Sequence, residues 1–319
     1  MKQAAASAER VADAPVKGRS LWAIAWGRLR RDKVAMVSLV VIILLVLMAI
    51  FAPQICHFLG IDPYSQHADT DLDEIGFPIG GWGGANGNHW LGVEPALGRD
   101  VLARTIYGAR VSLGISLAAT FIAITLGTLV GITAGFFGGW ADSLISRFMD
   151  IMLAFPVLLF SIAMLVIISS MPHVTNVQRA MVLIIIIGFF GFAYPARIIR
   201  GQTISLRERE FVEASTSLGA SNTRVLLREL LPNLAAPILV YATLIIPANI
   251  LFEASLSFLG VGLQEPTASW GGMLNEASKS FTVDPFFMFV PGMAIFITVL
   301  AFNLLGDGVR DAFDPKSTR

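Results

Sequence analysis

The side chains able to do covalent or metal chemistry are few and scattered. The four histidines, His57, His67, His89 and His173, show no HExxH-type spacing. The single Cys56 excludes an intramolecular disulfide and a cysteine-cluster metal centre. The spacing therefore points to no metal site and no catalytic constellation. Every lysine follows Met, Val, Asp, Ser or Pro, so the Gly-Lys pair of a phosphate-binding loop is missing. One polar segment stands out between strongly apolar ones: Glu213-Ala214-Ser215-Thr216-Ser217-Leu218-Gly219, followed by Leu231-Pro232-Asn233. Its start, Arg207-Glu208-Arg209-Glu210, leads into a helix-forming run, and Gly219 lets the backbone turn without a Cβ clash. Ser221 or Asn222 can cap a second short helix over 223–230, which Pro232 ends or bends. The expected product is a helix–turn–helix lying across a membrane face, either an amphipathic hairpin on lipid or a docking element for another protein.

The elements that must position this segment are membrane spans. The 319 residues are 55% hydrophobic and 14% charged, with a mean hydropathy of +0.70, whereas soluble domains carry about a quarter charged residues. The zero net charge argues against nucleic acid as a partner. A hydrocarbon core about 30 Å thick takes about 20 apolar residues of helix, and such runs fall at about 34–52, 111–135, 148–169, 181–193, 235–258 and 286–305. The fourth is short before Tyr194-Pro195. The first exceeds a signal-peptide core and follows a long polar segment, so it reads as a retained anchor. Six spans put both termini on one side. Most Arg and Lys residues fall in 1–33, 136–147, 195–234 and 306–319, against only Arg99, Arg104, Arg110, Arg179 and Lys279 on the other side. The first set is therefore expected in the cytoplasm. The predicted organisation is a cytoplasmic tail over 1–33, a first span and external loop over 34–107, a transmembrane domain over 108–306 that includes the cytoplasmic loop 195–234, and a cytoplasmic tail over 307–319. Residues 1–19 are Ala-rich and expected to be disordered. Residues 20–33 read as an interfacial helix, with Leu21, Trp22, Ala25, Trp26 and Leu29 on one side and Arg28, Arg30, Arg31 and Lys33 toward phosphate head groups.

Polar residues inside the spans are scarce, and their burial cost makes function the default reading. Asn249 and Glu253 lie four apart, hence on one face of the fifth span. With Asn303, late in the sixth, they are candidates to line a solute pathway. For Glu253 the alternative is a wetted residue at the external helix end, and for Asn303 a bond to a neighbouring helix. Arg147 and Asp150, three apart at the membrane edge, read as a structural or gating ion pair. Gly127, Gly131 and Gly135 repeat every four residues and read as a close helix-packing face, a sister subunit being one partner for it.

The polar segment closely resembles the EAA loop of ABC importer permeases. The likeness extends along the chain from about 21 to 316. Trp26-Gly27-Arg28-Leu29-Arg30-Arg31-Asp32-Lys33, Leu97-Gly98-Arg99-Asp100-Val101-Leu102 and Ile106-Tyr107-Gly108-Ala109-Arg110 resemble the dipeptide/oligopeptide permease C-type subunits of the peptide/nickel family. So do Glu253-Ala254-Ser255-Leu256-Ser257-Phe258-Leu259-Gly260, Trp270-Gly271-Gly272-Met273-Leu274 and the run from Ala301 to Ala312. Ser215 stands where a second Ala is usual and Glu229 where an aliphatic residue is usual, and residues 69–89 are longer than usual.

The resemblance implies an all-α polytopic membrane protein of the type I ABC importer permease fold, one N-terminal span plus a five-span core, in a bacterial cytoplasmic (inner) membrane. It implies a coupling helix formed by Glu213, Ala214, Leu218, Gly219, Ala220, Ser221 and Pro232, docked on an ATPase. The partners it implies are a homologous permease in a heterodimer, two ABC ATPases and an extracytoplasmic solute-binding protein. The chain would need no cofactor of its own, ATP and Mg being used by the partner ATPase. Asn249, Glu253 and Asn303 would then face di- or oligopeptides, with nickel complexes or other small solutes as alternatives. An ion-coupled secondary transporter fits less well, because ionisable residues deep in the spans are scarce. An intramembrane enzyme would need a buried Ser/His, paired Asp or HExxH constellation.

Overall fold

The structure, a computed structural model, describes residues 21–314, so the expectation for residues 1–19 lies outside the described residues. A short helix α1 (Leu21–Leu29) precedes α2 (Lys33–Ile50). Asp32 caps α2 by accepting from the Val34 and Ala35 amides at 2.9 and 3.1 Å. Val37, Val40, Ile43, Leu44 and Leu47 of α2 are exposed at helical spacing, as a lipid-facing stripe requires. Trp22 and Trp26 of α1 are also exposed. The Arg30 guanidinium sits 4.8 Å from the Trp26 ring centre, and Trp22 meets Phe313 edge-on. The chain continues through α3 (Ala52–Leu59), a one-turn α4 (Ala68–Asp71) and a loop to α5 (Val101–Phe137), a helix of 37 residues. At 1.5 Å per residue α5 is about 55 Å long, more than a hydrocarbon core needs.

Among the described residues, five helical stretches are long and apolar enough to cross a membrane, and a sixth crossing exists if a bent pair counts as one. That pair is α6 (Gly139–Ala154) and α7 (Val157–Ser169), bent by 72°. The expected third span at 148–169 is thus broken in its middle, because Pro156 lacks the amide that would continue the helix. The fourth span is longer than the apolar run suggested. Helix α8 (Asn176–Gly191) passes into α9 (Ala193–Arg207) with Phe192 still in the right-handed helical region. Pro195 removes one backbone bond but does not end the helix, so the stretch Asn176–Arg207 is continuous. After α10 (Glu210–Ser217) and a turn, the fifth span merges with the segment before it, α11 (Asn222–Arg224), a π-turn (Val225–Leu230) and α12 (Leu231–Phe258) forming one stretch. Finally come α13 (Trp270–Ser280) and α14 (Pro285–Phe313).

Helix α9 lies along α5 at very short range, and the glycine stripe makes this possible. A Cβ on Gly131 would stand 2.5 Å from the Ala196 carbonyl oxygen. One on Gly135 would stand 2.7 Å from Thr203 Cβ, and one on Gly127 2.9 Å from Pro195 Cγ. The stripe therefore packs within this chain. The seam is fastened at one end by Arg207, which donates to the Phe136 carbonyl at 3.0 Å. Arg200 of α9 ties the same end to α6, its Nη2 donating to Asp142 at 2.6 Å. Helices α2, α5, α12 and α14 share the main apolar core, with Ile42, Leu113, Ile250 and Phe302 buried in it.

At the opposite end of α5 the loop is clasped by buried charge. Arg104, in the first turn of α5, places Nε 2.9 Å from Glu94 and Nη2 3.0 Å from Glu265. Arg99 pairs with the same two carboxylates. Both arginines and Glu94 are buried, while Glu265 is partly open. Burial works against the charge of Glu265, but the hydrogen bond from Arg99 and the charge of Arg104 outweigh it and hold its pKa below the ordinary value. The cluster ties the loop to the segment after α12. Trp270 adds a bond from its indole to the Thr105 carbonyl at 3.0 Å, packed against Gly108.

Three substitutions test these contacts. Gly131→Ala should lower thermal stability in detergent by about 1–3 kcal/mol, as overpacking does. Gly114→Ala, on an open face of the same helix, should leave the melting temperature unchanged, and equal behaviour of the two variants would refute the seam. Glu94→Gln leaves two buried guanidiniums sharing one carboxylate, and should cost about 3 kcal/mol in the same melt. An unchanged melting temperature would show the cluster is not a clasp.

Candidate functional site

The segment singled out by sequence forms a hairpin at the Phe136 end of α5. Helix α10 runs from Glu210 to Ser217 and stops at Gly219, whose φ of +82° suits a residue without a Cβ. The turn closes with the Gly219 amide bonded to the Thr216 carbonyl at 2.9 Å and the Ala220 amide to Ser215 at 3.1 Å. Ser221 caps the return, its hydroxyl accepting from the Arg224 amide at 3.4 Å. Of the two candidate caps, Ser221 is therefore the one used. Helical structure then continues through Pro232, which neither ends it nor stands outside it. The π-turn shifts the bonding register, so that the Leu231 amide reaches the Leu226 carbonyl just before the proline ring must be placed. Asn233 donates its side-chain amide to the Glu229 carbonyl at 2.6 Å.

The hairpin has an anchored face and a bare one. Val212, Val225 and Leu230 are buried with Ile132 of α5, Ile199 of α9 and Leu234 of α12. Leu218, at the tip, is 89% exposed. Glu213, Ala214, Gly219, Ser221 and Pro232 are exposed as well, and Ala220 is half-buried. The residues expected to act together thus share one hairpin and mostly one outward surface. Ser215 and Glu229, the departures from the usual pattern, are both half-buried. A leucine held at the apex of a rigid turn can insert into an apolar recess of another protein.

The expected pathway residues divide. Asn249 and Glu253 do share a face of α12, but it points into the chain. The Asn249 amide donates to Thr120 Oγ1 of α5 at 2.8 Å. Glu253 is wholly buried, so the alternative of a wetted helix-end residue does not hold. Its Oε1 accepts from Ser257 at 2.8 Å, and Oε2 has no hydrogen-bond partner among the described residues. Asn303 differs: it is exposed on α14. The expected pair of Arg147 and Asp150 is corrected. Asp150 pairs instead with Arg197 of α9, and Arg147 is exposed with no ion pair among the described residues. Three residues apart on one short helix, both point outward, and the long arginine on the neighbouring helix reaches the carboxylate first.

Residues 127–319 match the family described as the binding-protein-dependent transport system inner membrane component. Residues 20–75 match the N-terminal TM domain of oligopeptide transport permease C. The glutathione transport system permease protein GsiD of Escherichia coli O6:K15:H31 (strain 536 / UPEC) is 41% identical over 302 residues, covering 95% of this chain and 93% of that protein. GsiD of Shigella boydii serotype 4 (strain Sb227) shows the same identity and coverage. Among solved structures, the inward-facing MetNI methionine ABC transporter is similar in fold, with a TM-score of 0.51 at 20% identity over 69% of this chain and 97% of that one. With its apolar spans and its hairpin, the chain belongs to the binding-protein-dependent transport system inner membrane component family, as a multi-pass, oligopeptide-permease-C-like permease subunit of an ABC importer and not an enzyme.

Proposed function

We propose that this chain forms half of a translocation pathway for di- and oligopeptides, paired with a homologous permease. Two ABC ATPases would sit below it and an extracytoplasmic binding protein above. The observation that carries the coupling part is the hairpin 210–230, with Leu218 exposed at a stiff tip and Val212, Val225 and Leu230 sunk into the bundle. Glu213, Ala214, Leu218, Gly219, Ala220, Ser221 and Pro232 form the docking element. ATP and Mg are used by the partner, since the chain has no Gly-Lys loop. The excess of Arg and Lys on the hairpin side supports placing that side, with both termini, in the cytoplasm. A peptide substrate is supported by the 41% identity to glutathione transport permeases across nearly the whole chain.

The proposed cycle is alternating access. ATP binding draws the ATPases together and moves the docked hairpins, and with them α9 and α5. The pathway then opens toward the binding protein, and hydrolysis resets it. Any such coupling is a difference in binding free energy between two states. Asn303, exposed on α14, is the pathway candidate with direct access to a neighbouring subunit or solute. Asn249 and Glu253 hold α12 in place and reach solute only when their seam opens.

Leu218→Asp should abolish co-purification of the ATPases in mild detergent while leaving membrane insertion intact. Gly219→Pro, which cannot adopt the positive φ of the turn, should do the same. Normal peptide uptake by either variant would remove the docking assignment. Glu253→Gln keeps the Ser257 bond and should transport within about twofold of wild type. A loss beyond tenfold with normal assembly would place the Glu253 charge on the pathway.

A further inference from the structure

The loop between α3 and α5 brings together His67, Asp71 and His89, three residues that no spacing rule connects. One ligand atom from each lies within 4.8 Å of the others, and the two imidazole rings are 4.9 Å apart. Their surroundings fix which ring nitrogens are free. His89 Nδ1 lies 2.7 Å from Asp100 Oδ2, and His67 Nδ1 lies 3.3 Å from the Gly98 carbonyl. A carboxylate and a carbonyl only accept, so both Nδ1 atoms carry the proton and both Nε2 lone pairs are left for another partner. His89 Nε2 then faces Asp71 Oδ2 at 3.7 Å. When the ring is neutral these are two acceptors, one on a side chain only 10% exposed, and a metal cation between them would satisfy both.

We propose that His67, Asp71 and His89 bind a divalent transition-metal ion, zinc in first place, which pins the loop to the start of α5. Two imidazoles and one carboxylate suit zinc and not calcium or magnesium, which take oxygen ligands. Ligands about 2.0–2.1 Å from a tetrahedral ion stand roughly 3.4 Å apart, close to the Asp71–His89 separation. His67 and Asp71 are only half-buried, so side-chain rotation can close the remaining distance. The Asp100 carboxylate behind His89 is the outer partner that a metal-bound histidine uses to hold its ring. Its other oxygen accepts from the Ala103 amide at 2.7 Å, which joins the site to the first turn of α5. A cleft of about 600 Å³ adjoins the site and leaves room for water as a fourth ligand. The role is structural. The site stands independently of the substrate and of the ATPases.

The test is zinc binding by the full-length chain carrying a tag without histidines, stripped with a chelator and titrated against a zinc-sensitive dye, with metal content read by mass spectrometry. Wild type should hold one zinc per chain, and zinc should raise its melting temperature. His67→Gln and Asp71→Asn, both at half-buried positions, should each weaken binding by about tenfold or more, since removal of even an outer partner has that effect. Their melting temperatures without metal should match wild type. Wild type without zinc, or zinc held equally by both variants as an adventitious ion only, would overturn the proposal. His89→Ala is a poorer probe, because loss of a buried ring can unfold the loop by itself.

Discussion

The contact on which the rest of the structure depends is the backbone approach of α9 to α5 along Gly127, Gly131 and Gly135. In lipid no hydrophobic force drives two apolar helices together, so association rests on close packing. Here the packing is so tight that a single Cβ at Gly131 would meet a backbone carbonyl at 2.5 Å. Helix α9 runs on toward the hairpin, separated from it only by Glu208 and Arg209. Arg207 then locks its end to the last carbonyls of α5. The hairpin is therefore rooted in two of the longest helical stretches among the described residues.

The other end of α5 is held by a different kind of force. Glu94, Arg99, Arg104 and Glu265 place four charges around the first turn, two arginines facing two carboxylates. Buried ion pairs add little net stability against an apolar alternative, but losing one member is costly. Such a cluster therefore fixes an arrangement more than it strengthens one. Here it fixes how the loop before α5 meets the segment after α12, while Asp100 caps the same turn. Helix α5 thus has one end set by glycine contact with α9 and the other by paired charge.

Much of this was legible in the sequence, for identifiable reasons. Apolar runs located the spans, because a membrane leaves composition little freedom. The span ends were less legible: α5 begins at Val101 and α14 ends at Phe313, where polar residues continue a helix that hydropathy alone would stop. Pro195 looked like a terminator, but the backbone beside it stays helical. The 72° bend at Pro156 divides a segment whose apolar run reads as one span. Asn249 and Glu253 were correctly placed on one face, but sequence could not say what that face meets. Asp150 found Arg197, 47 residues away. The His67, Asp71 and His89 group was invisible for the same reason. Its residues come from a helix turn and a distant loop, brought together by the pairing of Val93 with Asp100 and the backbone bond of His67 to Gly98.

The hairpin shows what a single chain of this family leaves unfinished. A lone exposed leucine is ordinary on a protein surface; what sets Leu218 apart is its place at the apex of the turn closed at Gly219. Its neighbours do nothing to hide it: Glu213, Ala214, Gly219 and Ser221 are small or short-range polar residues that leave the tip bare. The inner face, by contrast, is closed by Val212, Val225 and Leu230 with almost no exposure. An amphipathic hairpin meant for lipid would lay an apolar side flat along the membrane. This one buries Val212, Val225 and Leu230 in the bundle and leaves Leu218, Leu227 and Phe211 outward, with Leu218 the most exposed of them. The division between a closed inner face and an outward apolar tip accords with the docking element proposed above.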